Sequence, residues 1–290
     1  MKNFLSKVFT KKNILPALIV LFSATFIISA GLLADYYIDS LQQKKQQQML
    51  SDLVEQNTPT LSTVDDDYLN NYGEYEGEFY TQPITPAYTT IVHPKTGNEL
   101  TLLTKYAALF ELNQDVVGWI RINGTNINYP VMQKTEWVNY YLKRDFNGKD
   151  SKHGSIFVDE RADIKLPSDN VTIYGHKMKD GSMFASLHNY KDISFFEKYP
   201  YIIFDTIYEY HTYKIISVFT IAATVDTDFP YHDFVDGDAD SFAEYVTKCK
   251  DWSLYDTGED AVYGDKLITL STCDHSISDG RFVVVAKRIS

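Results

Sequence analysis

Between Lys12 and Asp35 the chain runs for 22 residues, Asn13 to Ala34, without a single charge. Ile, Leu, Phe and Ala dominate the run. At about 1.5 Å of rise per residue, a helix of that length crosses a hydrocarbon core of roughly 30 Å. Lys2, Lys7, Lys11 and Lys12 precede it, and Asp35 and Asp39 come after it. By the positive-inside tendency this order puts the N-terminus in the cytoplasm. A cleaved secretory signal is the alternative, because Ser29-Ala30-Gly31 offers small residues at a cut site. The run is longer than a usual signal core, which favours an uncleaved anchor. Either reading exports residues 35–290.

The charge balance sharpens the picture. The chain of 290 residues carries a formal −12, and its first 34 residues hold four lysines and no acid. Residues 35–290 therefore carry −16. An acidic body argues against a general nucleic-acid binder, which needs a basic face to displace counterions from phosphates. Two cysteines exclude a disulfide-dense scaffold.

From Asp35 to Asn98 core-forming residues are sparse. Gln42 to Gln48 is a polar run able to continue the membrane helix outward, while Asp65-Asp66-Asp67 and Tyr68 to Tyr80 are acidic and tyrosine-rich without a clear period. Pro83, Pro86 and Pro94 interrupt the remainder of this stretch. The expectation is a largely extended stalk. The organisation reads as a basic cytoplasmic head (1–12), a transmembrane anchor (13–34), an extracellular stalk (35–98) and a catalytic domain (99–290).

In that last part, Leu100 to Leu112 has apolar residues at helical spacing and reads as an amphipathic helix. Strands dominate thereafter. Gly118–Ile122 and Asn126–Val131 flank Asn123-Gly124, a hairpin-turn dipeptide. Further strands are expected at Ser155–Val158, Val171–Tyr174, Tyr201–Phe204, Tyr210–Ile221, Lys266–Thr272 and Phe282–Ile289. Short helices fit Met183–Asn189, Asp192–Lys198 and Ala239–Trp252. Eight strands with peripheral helices predict a mainly β fold, an eight-stranded β-barrel that is closed or nearly so.

Cys273 ends the Lys266–Thr272 strand, and the chain re-enters a strand at Arg281. If the two strands are neighbours, thiol and guanidinium share one barrel rim. That placement suits acyl transfer, in which sulfur attacks a carbonyl and a fixed donor stabilises the oxyanion. A strand cysteine is, against this, more often a small buried hydrophobe. The proton partner best placed among seven histidines is His176, emerging after Gly175 at the end of Asn170-Val-Thr-Ile-Tyr174. The blander reading is a solvated loop histidine. Cys273, His275 and His176 could supply three zinc ligands, but no CxxC or HExxH spacing supports a metal.

Thr269-Leu270-Ser271-Thr272-Cys273 is similar to the TLxTC signature of sortases, with Arg281 at the place of their arginine. Tyr174-Gly175-His176 and the segment Lys177 to Leu187 resemble the histidine segment of class B sortases. The order of anchor, stalk, histidine, cysteine and arginine matches, as does a helix-bearing insertion at Asp236–Gly258 before the last two strands. The resemblance covers roughly residues 100–290. It implies a Gram-positive cell-surface cysteine transpeptidase, cleaving an NPxTN-like or PxTG-like sorting motif of secreted proteins after Thr. The acyl group passes through a Cys thioester to an amine of a lipid II-type cell-wall precursor. By position it implies Cys273 as nucleophile, His176 as general acid/base and Arg281 as oxyanion or substrate-backbone donor. Ser271 and Thr272 fall at substrate-binding positions and Leu142 at the motif pocket. This chemistry requires neither metal nor organic cofactor.

Two rivals keep separate predictions: a surface cysteine peptidase that only hydrolyses, and an inactive β-barrel scaffold or adhesion module. Cys249, in the insertion helix, reads as a buried helix-face residue. His93-Pro94-Lys95-Thr96-Gly97 spells PxTG within the stalk and reads as coincidence, with a pseudosubstrate as the alternative.

Overall fold

The computed structural model describes residues 11–58, 86–223 and 229–290. Lys2, Lys7, the aspartate triplet at 65–67, the tyrosine-rich run and Pro83 lie outside them. The chain divides into two compact units, one up to Gln46 and one from Gln47 to Ser290.

Helix α1 spans Lys11–Asn57, and its part from Leu18 is long and apolar enough to cross a membrane. Phe22, Phe26, Ile27, Leu32 and Leu33 are exposed, as a lipid-facing surface requires. The helix does not give way to extended chain at Asp35. It continues for a physical reason: Leu50, Leu53 and Val54 recur at helical spacing, and they pack into the core of the second unit, with Leu50 fully buried. Gln47 donates to the Asn128 carbonyl and Asn128 Nδ2 reaches Ser51 Oγ at 3.4 Å.

The segment before residue 104 also differs from the sequence expectation. Strands β1 (Tyr88–Val92) and β2 (Glu99–Leu103) form an antiparallel hairpin, and helix α2 occupies only Thr104–Leu112. The apolar spacing of Leu100–Leu103 is shared by helix and strand. The adjacent Tyr-Thr-Thr-Ile-Val run, rich in β-formers, supplies a pairing partner and decides the matter.

Eight strands close a barrel: β3 (Val116–Arg121), β4 (Asn128–Met132), β5 (Ile156–Val158), β6 (Asn170–Tyr174), β7 (Tyr201–Thr206), β8 (Thr212–Ala222), β9 (Leu267–Asp274) and β10 (Gly280–Arg288). Their order around the barrel is β10-β8-β7-β3-β4-β5-β6-β9. The pairs β4–β5 and β6–β9 are parallel and the rest antiparallel. Asn123-Gly124 opens the β3–β4 turn, and Gly124, at φ +72°, sits where an added Cβ would meet the Tyr199 ring at 2.3 Å. Only glycine takes both the left-handed backbone and that contact.

Inside the barrel Ile120, Val131, Ile173, Ile215, Leu270, Phe282 and Val284 form the core, plugged by Phe184, Leu187 and Tyr190. Helix α3 (Ile193–Lys198) is capped by Asp192, whose side chain accepts from Ser194 N. Helix α4 (Ala239–Asp251) is capped by Asp238, which accepts from Ser241 N. Phe242, Tyr245, Val246 and Cys249 form its apolar stripe and cover the outer face of β8, β9 and β10 with Phe219, Val283 and Val285.

Candidate active site

The site is assembled where β6 and β9 leave the barrel side by side. Their parallel register pairs Tyr174 with Ser271, and Gly175 N donates to the Ser271 carbonyl at 3.1 Å. Two residues further along each chain stand His176, past the end of β6, and Cys273, still within β9. Cys273 is the penultimate residue of β9 rather than the residue after it. Across β9–β10, Cys273 is the register partner of Arg281, so the two side chains leave the sheet on one face. The half-buried Arg281 guanidinium is steadied by its own loop: Nη1 donates to the carbonyls of Gly280 (3.0 Å) and Asp279 (3.2 Å).

His176 Nε2 donates to the Leu142 carbonyl at 2.7 Å. Leu142 belongs to the 3-10 helix Tyr140–Lys143. Its carbonyl can stand there because residue 154 is glycine: at φ +59°, a Cβ would fall 2.4 Å from that oxygen. Burial lowers the His176 pKa below its ordinary 6.5. The Leu142 hydrogen bond opposes the shift, and the nearby charges of His153 and Lys143 add to it. The imidazole is thus biased to the neutral form, with Nε2 carrying the hydrogen and Nδ1 left as base.

Ser271 shares the Cys273 face of β9 and is buried; its Oγ lies 2.7 Å from the Tyr231 hydroxyl. That hydrogen bond sets the Tyr231 phenol against the face of β9 that carries Cys273. Nothing in the sequence marks it, because the connection after β8 has no periodicity and Phe229-Pro230-Tyr231 carries only a turn signal. Arg161 fixes that connection, donating to the His232 carbonyl at 2.6 Å while binding Asp159 through Nε and Nη2 at 2.8 and 2.9 Å. Asp159 also accepts from the Tyr174 hydroxyl at 3.0 Å.

Thr272 alternates to the inner face of β9, opposite its β10 partner Phe282, and is buried. It does not join the face of Cys273. Leu142 reaches the site through its carbonyl, while its half-buried side chain leans on the cluster beneath β1–β2. His275 stands in the exposed β9–β10 loop, and among the described residues no group of three or more His, Cys, Asp or Glu side chains is arranged to hold a metal ion.

A family model described as the sortase domain matches residues 120–289. The chain belongs to the sortase family. Sortase B of Listeria monocytogenes is 34% identical over 209 residues, covering 70% of this chain and 79% of the relative. Among solved structures, Bacillus anthracis sortase B in complex with AAEK1 superposes with a TM-score of 0.64 at 29% identity, covering 88% of this chain and 99% of that one. A Staphylococcus aureus sortase B–substrate complex gives a TM-score of 0.64 at 26% identity, covering 87% and 99%. This sortase is therefore a cysteine transpeptidase of the class B type on an eight-stranded barrel, as the sequence resemblance implied.

Proposed function

We propose that this sortase cleaves a sorting motif after Thr through a thioester on Cys273, with His176 as acid and base and Arg281 as oxyanion donor. The register pairing of Cys273 with Arg281 carries the assignment. His176 Nδ1 takes the proton of the Cys273 thiol, the thiolate attacks the Thr carbonyl, and Arg281 donates to the oxygen that gains charge. Collapse of that intermediate breaks the C–N bond, and the leaving amine takes its proton from His176 Nδ1. An acceptor amine then gives a proton to the same nitrogen and attacks the thioester, forming an amide and releasing the thiolate. Ser271, with its Tyr231 partner, and Leu142 border the acyl-donor path.

The donor is a secreted protein with an NPxTN-like or PxTG-like motif, and the acceptor is an amine of a lipid II-type precursor. A substrate complex exists for the Staphylococcus aureus relative, which supports a substrate-binding role for this fold. Helix α1 anchors the enzyme in a single pass, the four lysines of residues 1–12 in the cytoplasm and the barrel on the cell surface. Sorting peptides incubated with and without an amine nucleophile test the reaction. Amine-dependent product that vanishes in Cys273→Ala supports it. Cleavage that never incorporates amine marks a peptidase, and an uncut peptide set with an unreactive Cys273 marks a scaffold.

A further inference from the structure

The residue after the nucleophile leads away from the active-site face. Asp274 alternates to the inner side of β9, where its carboxylate is buried. Oδ1 accepts from Ser276 N at 3.0 Å. Oδ2 accepts from Lys191 Nζ at 2.7 Å and from Thr220 Oγ1 at 3.4 Å, and His188 Nε2 lies 3.7 Å away. Burying a carboxylate is costly unless a cation and hydrogen bonds offset the lost water, so this cluster holds one arrangement firmly.

The partners come from one place. His188 and Lys191 lie on the 3-10 helix Ala185–Lys191, three residues apart. With three residues per turn, side chains at that spacing eclipse one another, so both point at Asp274. His188 stacks on Phe282 at 4.6 Å, and the Lys191 ammonium sits 5.6 Å from the same ring. That helix is the first element after His176. The intervening loop is closed by Phe184 N donating to the His176 carbonyl at 2.9 Å and by the Lys177–Met183 bridge. The Lys191–Asp274 ion pair thus ties the segment that bears the histidine to the strand end that bears the cysteine.

We propose that Lys191 is a positioning residue for the transpeptidation: through Asp274 it sets the height of Cys273 against His176. It touches no reacting atom. The inference rests on the roles given above to Cys273 and His176.

The test uses the full chain in detergent, with Lys191→Met, Lys191→Gln and Lys191→Arg beside wild type, each with its melting temperature. Because misplacing reacting groups by about 1 Å costs up to ~100-fold, kcat of Lys191→Met is expected to fall by roughly 10- to 100-fold with KM within about twofold. Lys191→Arg restores the charge and is expected within about threefold of wild type, and Lys191→Gln, a weaker donor, between the two. If Lys191→Met does not fold, the Gln and Arg variants carry the comparison. Wild-type kcat in Met or Gln, a change in KM alone, or an Arg variant as slow as Met at equal melting temperature would overturn the proposal. Cys273→Ala and His176→Ala run as controls. If either retains transfer, the site assignment fails; if both are inactive and Lys191→Met is fully active, only the positioning role falls.

Discussion

Arg281 and Cys273 face one another as register partners on β10 and β9. The guanidinium is therefore placed by backbone pairing and needs no contact with the sulfur to stay beside it. Arg281→Lys keeps the charge but replaces a planar fork of donors with one point charge. Losing an oxyanion donor of this kind is expected to lower kcat by about 100-fold, with the melting temperature unchanged. Steady-state kinetics on a sorting peptide check this, and full activity in the lysine variant refutes it.

Gly154 should be the most sensitive glycine of the site. A Cβ there would press on the Leu142 carbonyl at 2.4 Å and on that of Tyr141 at 2.9 Å. Both are backbone atoms, which cannot swing aside as a side chain can. Gly154→Ala should displace the acceptor that orients His176 and lower kcat by at least ~10-fold, besides straining a left-handed backbone. Kinetics together with the His176 imidazole NMR signals would show whether the ring has turned.

The pH dependence has two separable parts. The acid limb of kcat/KM should lie below pH 6.5, because burial lowers the His176 pKa. Stability should also fall in acid, for a different residue. Burial depresses the His188 pKa to about 4, with Lys177 and Lys191 adding and Asp274 opposing. Between its unfolded value near 6.5 and about 4, the unfolded chain binds more protons than the folded one. Stability is then complete above about pH 6.5 and declines by on the order of 2 kcal/mol as pH falls to about 4. Urea midpoints at pH 7 and pH 5 should converge in His188→Phe.

Only one cysteine should react with a charged thiol reagent. Cys249 is fully buried in the α4 stripe, and burial pushes its thiol well above the ordinary range. Cys273 is half-buried at the rim. A methanethiosulfonate carrying a sulfonate is expected to add once to native protein, still once to Cys249→Ala, and not to Cys273→Ala. Mass spectrometry counts the adducts.

The PxTG run should be inert. Pro94 to Gly97 form the exposed turn of the β1–β2 hairpin, closed by His93 N donating to the Asn98 carbonyl at 2.8 Å and Gly97 N to the His93 carbonyl at 2.9 Å. His93 Nδ1 accepts from Lys95 N and Thr96 N. A cleft that takes extended peptide does not admit a folded turn. The Thr96–Gly97 bond should stay intact through long incubation of active enzyme, and a Pro94/Thr96 double variant should keep wild-type activity. Cleavage at that bond would revive the pseudosubstrate reading.

How much of the structure is legible in the sequence depends on the range of each signal. Alternation and turn residues are local, so the eight barrel strands and the rim placement of Cys273, Arg281 and His176 are visible in residues a few positions apart. The course of helix α1 beyond Asp35 is not, because the value of Leu50, Leu53 and Val54 depends on a surface that exists only after folding. Tyr231 and Lys191 stay hidden for the same reason. Their partners, Ser271 and Asp274, are distant in sequence, and nothing in an irregular connection or a short 3-10 helix announces them. Thr272 takes the inner face of β9, which membership of the signature does not foretell.

The parallel pairing of β6 with β9 has a consequence in time. Asn170 pairs with Leu267, and β7, β8 and α4 are all made between those partners. Contacts so remote in sequence form late, after the cost of closing the intervening loop has been met. On the roles proposed for Cys273 and His176, a chain still folding carries a thiol without its base, and acylation would begin only when the barrel shuts. Under that proposal the seam that completes the fold is also the enzyme's ignition.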